Sequence, residues 1–212
     1  MFITFEGIDG SGKSTQARRL EASLNEEGYS PLLLREPGGT PVSEEIREIL
    51  LSADQEITPL AELLLFSAAR AQLVERRIRP ALDQNRPVIC DRFYDSTTAY
   101  QGAGRQVAET SWIEELNLRV TSGLRPIRTY YIEVPVPVAL DRVRGSSLPA
   151  DRMEASGTSF YERVAEAYRA IAAAEPDRVV TIDGTLTPEE IHQRVWEDVR
   201  ANVLSRHGTR SP

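Results

Sequence analysis

The stretch Glu6-Gly7-Ile8-Asp9-Gly10-Ser11-Gly12-Lys13-Ser14-Thr15 decides how the rest of this chain reads. It satisfies the pattern G-x-x-x-x-G-K-[ST], with Gly7, Gly12, Lys13 and Ser14 at the fixed positions. Glycines permit a tight loop whose backbone N–H groups turn inward and cradle phosphate oxygens. Lys13 can reach the outer phosphates as a point charge, and Ser14 offers a hydroxyl to Mg²⁺. A helix that begins at the end of the loop adds its positive N-terminal field. A plain Gly-rich turn that happened to hold a lysine would have no such context. Here Met1-Phe2-Ile3-Thr4-Phe5 is an apolar run of strand type, and Gln16 to Leu24 is amphipathic with Ala17, Leu20 and Leu24 on one face. Strand, loop and helix come in the order that nucleotide binding requires.

Length and composition narrow the class. A chain of 212 residues suits one domain, and 41% hydrophobic with 27% charged residues is ordinary for a soluble globular protein. The net charge of −7 lacks the basic face of a nucleic-acid duplex binder. A small phosphorylated ligand held by a few local arginines remains compatible with it. The one cysteine, Cys90, permits no internal disulfide, and its neighbours Val88 and Ile89 predict a buried strand position. No apolar run approaches membrane-spanning length, and the N-terminus lacks the pattern of a signal peptide, so a cytoplasmic location is expected.

Further strands are predicted over Leu32 to Leu34, Arg86 to Arg92, Arg128 to Val134 and Arg178 to Ile182. Helices are predicted between them: Glu44 to Leu51, Thr58 to about Leu82, Trp112 to Val120, Val138 to Arg144, Phe160 to Ala174, and one opened by Thr187. Thr58 reads as an N-cap before Pro59, and Thr187 with Glu190 reads as a capping box. Leu60, Leu63, Leu64, Val74 and Ile78 are assigned to the apolar face of the long helix, where Phe66 and Arg70 lie one turn apart. Such alternation predicts a parallel sheet with helices on both faces. Ligands of open sheets of this kind sit at the carboxyl ends of the strands. Asp91, closing an apolar strand, is therefore a candidate for a magnesium shell, and Arg92 beside it can grip a phosphate with two prongs. Arg142, Arg144 and Arg152 flank a segment rich in small residues, the composition of a lid that brings cations onto transferring phosphate.

Taken together, three motifs resemble the thymidylate kinase family: Phe5 to Gln16, Arg35-Glu36-Pro37-Gly38-Gly39-Thr40, and Asp91 to Gly102. The resemblance covers nearly the whole chain. It implies a P-loop NTPase-type three-layer α/β fold, with a five-stranded parallel sheet, within one domain over 1–212. The lid would span about 142–155, and the polar tail over 205–212 is expected to fray. The implied activity is transfer of the γ-phosphoryl of ATP to dTMP with Mg²⁺, usually in a homodimer. Gly7, Ile8, Asp9, Gly10, Ser11, Gly12, Lys13, Ser14 and Thr15 would surround the ATP phosphates, and the loop with Asp183 and Thr185 would pass the adenine. Ser14 and Asp91 would hold the metal. Asp9 would face the deoxyribose 3′-hydroxyl, and Arg92 and Arg35 would lie near the acceptor phosphate beside Pro37. Phe66 would stack on thymine, Arg70 would meet its edge, Thr97 and Gln101 would line the base pocket, and Tyr100 would lie under the sugar. Some members carry an arginine inside the loop where this chain has Gly10. Members without it are expected to use lid arginines, here Arg142, Arg144 and Arg152. A deoxynucleoside kinase and a nucleotide-dependent switch protein share the first motif and stand as rival readings.

Overall fold

The structure, a computed structural model, describes residues 1–52, 54–145 and 157–205. Its centre is a five-stranded parallel sheet in the order β2-β3-β1-β4-β5. The strands are β1 (Phe2–Glu6), β2 (Leu32–Arg35), β3 (Val88–Asp91), β4 (Arg128–Glu133) and β5 (Val179–Asp183). All five agree with the predicted runs. Their continuous apolar character follows from burial on both faces. Ile3, Phe5 and Ile89 join one hydrophobic cluster, while Phe2, Val88 and Cys90 join another on the opposite face. Alternate side chains of one strand point to opposite sides, so each short run feeds two cores.

Register aligns the functional edge. Phe5 pairs with Asp91, and Asp91 pairs with Arg35 on its other side. Glu6 pairs with Tyr131, and Glu133 with Asp183. Arg35, Asp91, Glu6, Glu133 and Asp183 therefore end the five strands, in sheet order, at one edge of the sheet. The phosphate loop leaves β1 there and runs into helix α1 (Lys13–Glu26), whose Ala17, Leu20 and Leu24 are buried as their spacing predicts.

The remaining helices are α2 (Pro41–Leu51), α3 (Pro59–Leu73), α4 (Arg79–Asp83), α5 (Tyr94–Thr97), α6 (Thr110–Val120), α7 (Val136–Arg144), α8 (Thr158–Ala174) and α9 (Pro188–Asp198). The capping box of Thr187 and Glu190 at α9 is present. Thr58 precedes α3 but makes no side-chain cap; only its carbonyl accepts, from the Glu62 N–H at 2.9 Å. The long predicted helix is divided, because Val74–Ile78 widens into a π turn before α4. Leu63, Val74 and Ile78 are buried, but Leu60 and Leu64 are 51% and 49% exposed, so they do not belong to the core face. Phe93 to Arg105, without a clear sequence period, is α5 continued by a π-helical stretch, Thr98–Gly104. Gly104 is buried at the end of that stretch. A Cβ at that position would lie 2.6 Å from the Phe160 ring, so glycine permits close approach of α8.

Candidate active site

The phosphate loop is shaped by its glycines. Gly10 has φ 78, and a Cβ there would run into the Ala139 carbonyl of α7. No side chain fits this loop position while α7 packs against it. Arg142, one turn further along α7, instead donates to the Gly184 carbonyl at 3.1 Å and the Gly10 carbonyl at 3.4 Å. It thus stands between the loop and the turn after β5, where Asp183 accepts from the Thr185 N–H and hydroxyl at 2.9 and 2.6 Å. Arg144 is exposed and pairs with Asp141 on its own helix at 3.4 Å, away from the loop. Arg152 and most of the lid expected at 142–155 lie outside the described residues, as does the tail from 206.

Lys13 is buried, with Nζ 3.3 Å from the Ile8 carbonyl and 3.5 Å from Asp9. Burial and the neighbouring Arg92 cation push its pKa down, against the pull of Asp9. The Asp9 carboxylate also accepts from Arg92 and from the hydroxyls of Tyr100 at 3.0 Å and Tyr161 at 3.3 Å. Burial alone would raise the Asp9 pKa, but Arg92 and Lys13 outweigh it and hold the carboxyl well below the usual range.

Arg92 follows β3 with φ 72, a left-handed conformation that non-glycine residues seldom adopt. Such strain persists only where surrounding contacts impose it. Here Nη1 donates to the Gly7 carbonyl at 3.0 Å and to Ser96 at 3.1 Å, and Nη2 donates to Tyr100 at 3.0 Å as well as to Asp9. The guanidinium also lies 4.8 Å from the Tyr100 ring centre. Behind it, Glu6 accepts from the Phe93 N–H at 2.7 Å, Ser96 at 2.6 Å and Tyr168 at 2.9 Å. Burial, with Asp95 adding repulsion, pushes the Glu6 carboxyl up to about 7.

Next to this cluster opens a concave pocket with a few convergent polar groups, the kind of lining a small-molecule site has. Asp9, Phe66, Arg70, Thr97, Tyr100 and Gln101 all line it, together with Glu36 and Pro37. Phe66 and Arg70 come from α3, and Thr97, Tyr100 and Gln101 from α5 and the π stretch. Gln101 is held by Glu62 at 2.9 Å. Arg70 is 1% exposed and donates to Glu36, Thr97 and the Phe93 carbonyl. A larger open groove joins the pocket to Lys13, Ser14 and Asp91 and includes Arg35, which pairs with Glu44 at 3.1 Å.

Ser14 donates to Oδ2 of Asp91, while Oδ1 of Asp91 is buried with no hydrogen-bond partner among the described residues. A hydroxyl and a carboxylate with an unused oxygen suit Mg²⁺, a hard cation that takes oxygen ligands and draws several from phosphates and water. The sequence-predicted residues Asp9, Lys13, Ser14, Asp91 and Arg92 therefore converge, and Pro37, Phe66, Arg70, Thr97, Tyr100 and Gln101 line the adjoining pocket. Contributors that escaped sequence reading include Glu6, Glu36, Tyr161 and Tyr168. Glu6 carried the same signal as Asp91, an acid closing an apolar strand. Tyr161 and Tyr168 are seven apart on α8, two turns on one face, a spacing equally typical of core.

Comparison with known proteins adds an independent finding. The thymidylate kinase family model matches residues 5–195. A thymidylate kinase of Chlorobaculum parvum is 49% identical, covering 99% of this chain and all of the relative. One from Thermomicrobium roseum is 48% identical, covering 100% of this chain and 99% of its own length. A crystal structure of thymidylate kinase from Ehrlichia chaffeensis superposes with a TM-score of 0.76 at 38% identity, over 94% of this chain and 98% of that one.

Proposed function

This chain belongs to the thymidylate kinase family, and on that premise we propose that it moves the γ-phosphoryl of ATP onto dTMP, giving dTDP and ADP. One observation carries the reading. Asp9 is shared by Lys13, on the phosphate loop, and Arg92, at the mouth of the pocket. Two phosphate-binding cations are thereby fixed side by side on one carboxylate. Phosphoryl transfer needs little covalent help and depends on placing two anions together and neutralising the charge between them. Lys13 and the loop N–H groups serve the donor, and Arg92 with Arg35 serves the acceptor phosphate. The pocket takes the nucleoside, with Phe66 stacking on the base, Arg70 at its edge, Thr97 and Gln101 along its wall, and Tyr100 and Asp9 near the sugar. Ser14 and Asp91 would hold Mg²⁺, which when bound supplies further charge neutralisation on the phosphates. No general base is required, because the attacking phosphate oxygen is already ionised near neutral pH. The turn with Asp183 and Thr185 lies where adenine would pass, and Arg142 is the α7 arginine that reaches the loop.

We also place the active form as a homodimer in the cytoplasm, with the chain working as one kinase domain. Val42, Ile49, Leu60, Leu64 and Trp112 are between 44% and 51% exposed, on helices α2, α3 and α6. Since α2 and α6 both pack against α3, these exposed apolar side chains suit a self-association surface. Sedimentation of the wild type against Leu60→Glu tests it: a dimer that becomes a monomer supports the surface, and a monomeric wild type removes it. For the activity, ADP release is measured across a panel of nucleoside monophosphates with thymidine beside them. dTMP is expected to lead. Preference for thymidine would favour a deoxynucleoside kinase, and ADP release independent of any acceptor would favour a switch ATPase.

A further inference from the structure

We infer that Glu36 is a positioning residue for base selection: by gripping Arg70 at Nε it fixes the direction of the N–H groups that Arg70 presents to the pocket. The inference rests on the dTMP reading above and extends it to a residue with no role in that reading.

Arg70 has five N–H donors on three nitrogens. Nε donates to Glu36 Oε2 at 2.7 Å, Nη1 to Thr97 Oγ1 at 2.7 Å, and Nη2 to the Phe93 carbonyl at 3.1 Å. These bonds leave one N–H on each terminal nitrogen, on a side chain that lines the pocket beside Phe66. The Nε bond controls the plane of the fork, because Nε carries the guanidinium on the flexible stem. Thr97 and Phe93 belong to the segment after β3, whereas Glu36 approaches from the loop after β2. Arg70 is thus held from two sides, and among the described residues Glu36 supplies the second.

Glu36 sits on a firm mount. Its N–H donates to the Asp91 carbonyl at 2.9 Å, continuing the β2–β3 ladder. Arg47 holds the next carbonyl, Pro37, at 3.0 Å, and Arg77 holds the Gly39 carbonyl at 2.9 Å. A purely structural ion pair explains the arrangement poorly. The Glu36 side chain is 4% exposed, and its Oε1 is buried with no hydrogen-bond partner among the described residues. A buried pair with one oxygen unused contributes little to folding compared with an apolar replacement. A fixed direction for Arg70 is what it does provide. Arginine can only donate, so a fixed fork favours a carbonyl oxygen at position 4 of the pyrimidine over an amino group there. A fork able to swivel would turn away from the amino group and tolerate it.

The test is the ratio of kcat/KM for dTMP to that for dCMP in wild type, Glu36→Ala, Glu36→Asp, Glu36→Gln and Arg70→Ala. Glu36→Ala is expected to lower the ratio at least about fivefold, with the KM for ATP changing less than about twofold. Glu36→Gln keeps an acceptor at full reach and should stay within about twofold of wild type. Glu36→Asp keeps the charge but is one methylene too short, and should behave like alanine. Should the alanine variant fail to fold by circular dichroism, the Asp and Gln pair decides: a ratio kept by Asp and lost by Gln overturns the inference. A ratio unchanged in Glu36→Ala but collapsed in Arg70→Ala also overturns it, and leaves the dTMP reading standing. No transfer to dTMP by the wild type would instead defeat that reading itself.

Discussion

The two halves of the site are built on different principles. The donor half is one continuous loop between β1 and α1, made mainly of backbone. Its shape comes from glycines such as Gly10, and Lys13 is its one cationic side chain. The acceptor half is assembled from β1, the loop after β2, α3, the segment after β3 and α8. Its parts are side chains tied by buried polar bonds, among them Glu6 with Ser96 and Tyr168, and Arg70 with Glu36. A backbone cradle tolerates many neighbours and recognises phosphate alone. A network of side chains can read a base, but it couples recognition to stability, because a lost member leaves buried partners unsatisfied.

Four experiments probe that contrast. The largest effect is expected from Lys13→Ala, which should lower kcat by about 10²–10³ while circular dichroism stays native, as for a lost electrostatic donor. Turnover near wild type would break the donor half of the assignment. Arg92→Ala should both weaken dTMP, seen in KM, and lower Tm more than Lys13→Ala does, by about 1–3 kcal/mol of stability. The reason is that Arg92 holds four partners besides Asp9. Equal Tm shifts in the two variants would erase the proposed difference between the halves.

A smaller effect separates two arginines of α7. Arg142, in contact with Gly10 and Gly184, should cost kcat about tenfold on change to alanine, whereas Arg144 should cost less than about twofold. The reverse order would show that resting contact with the loop does not mark the working arginine.

The smallest effect is a pH slope. The Glu6 carboxyl is raised to about 7 in the folded chain, from an ordinary value of 4.5. Between those values the folded state holds a proton that the unfolded state has released. The contribution of Glu6 to stability is therefore fully present below the unfolded value and lost as pH rises through the folded one, with a slope of at most about 1.4 kcal/mol per pH unit. Thermal unfolding of Glu6→Gln from pH 5 to 8 should show a flatter fall than wild type. Parallel curves would mean that Glu6 does not titrate in this range.

How much of this could be read from the sequence follows the same division. Local order alone determined the phosphate loop, the five strands and the capping box at Thr187, because each is fixed by neighbours in the chain: glycines at set spacing, apolar runs, a hydroxyl three residues before an acid. The resemblance of three motifs then named the pocket residues. Tertiary structure decided what spacing cannot hold. Leu60 and Leu64 share the helical period of buried leucines but face outward, since the period states that a face is apolar and not what covers it. Val74–Ile78 and Thr98–Gly104 widen into π turns that no local signal announced. Glu6 and Glu36 acquire their places only when β1, β2 and β3 align at one edge and α3 and α8 close over them. Whether a buried acid is a burden or a tool depends on partners between 34 and 162 residues away, and only the fold brings these together.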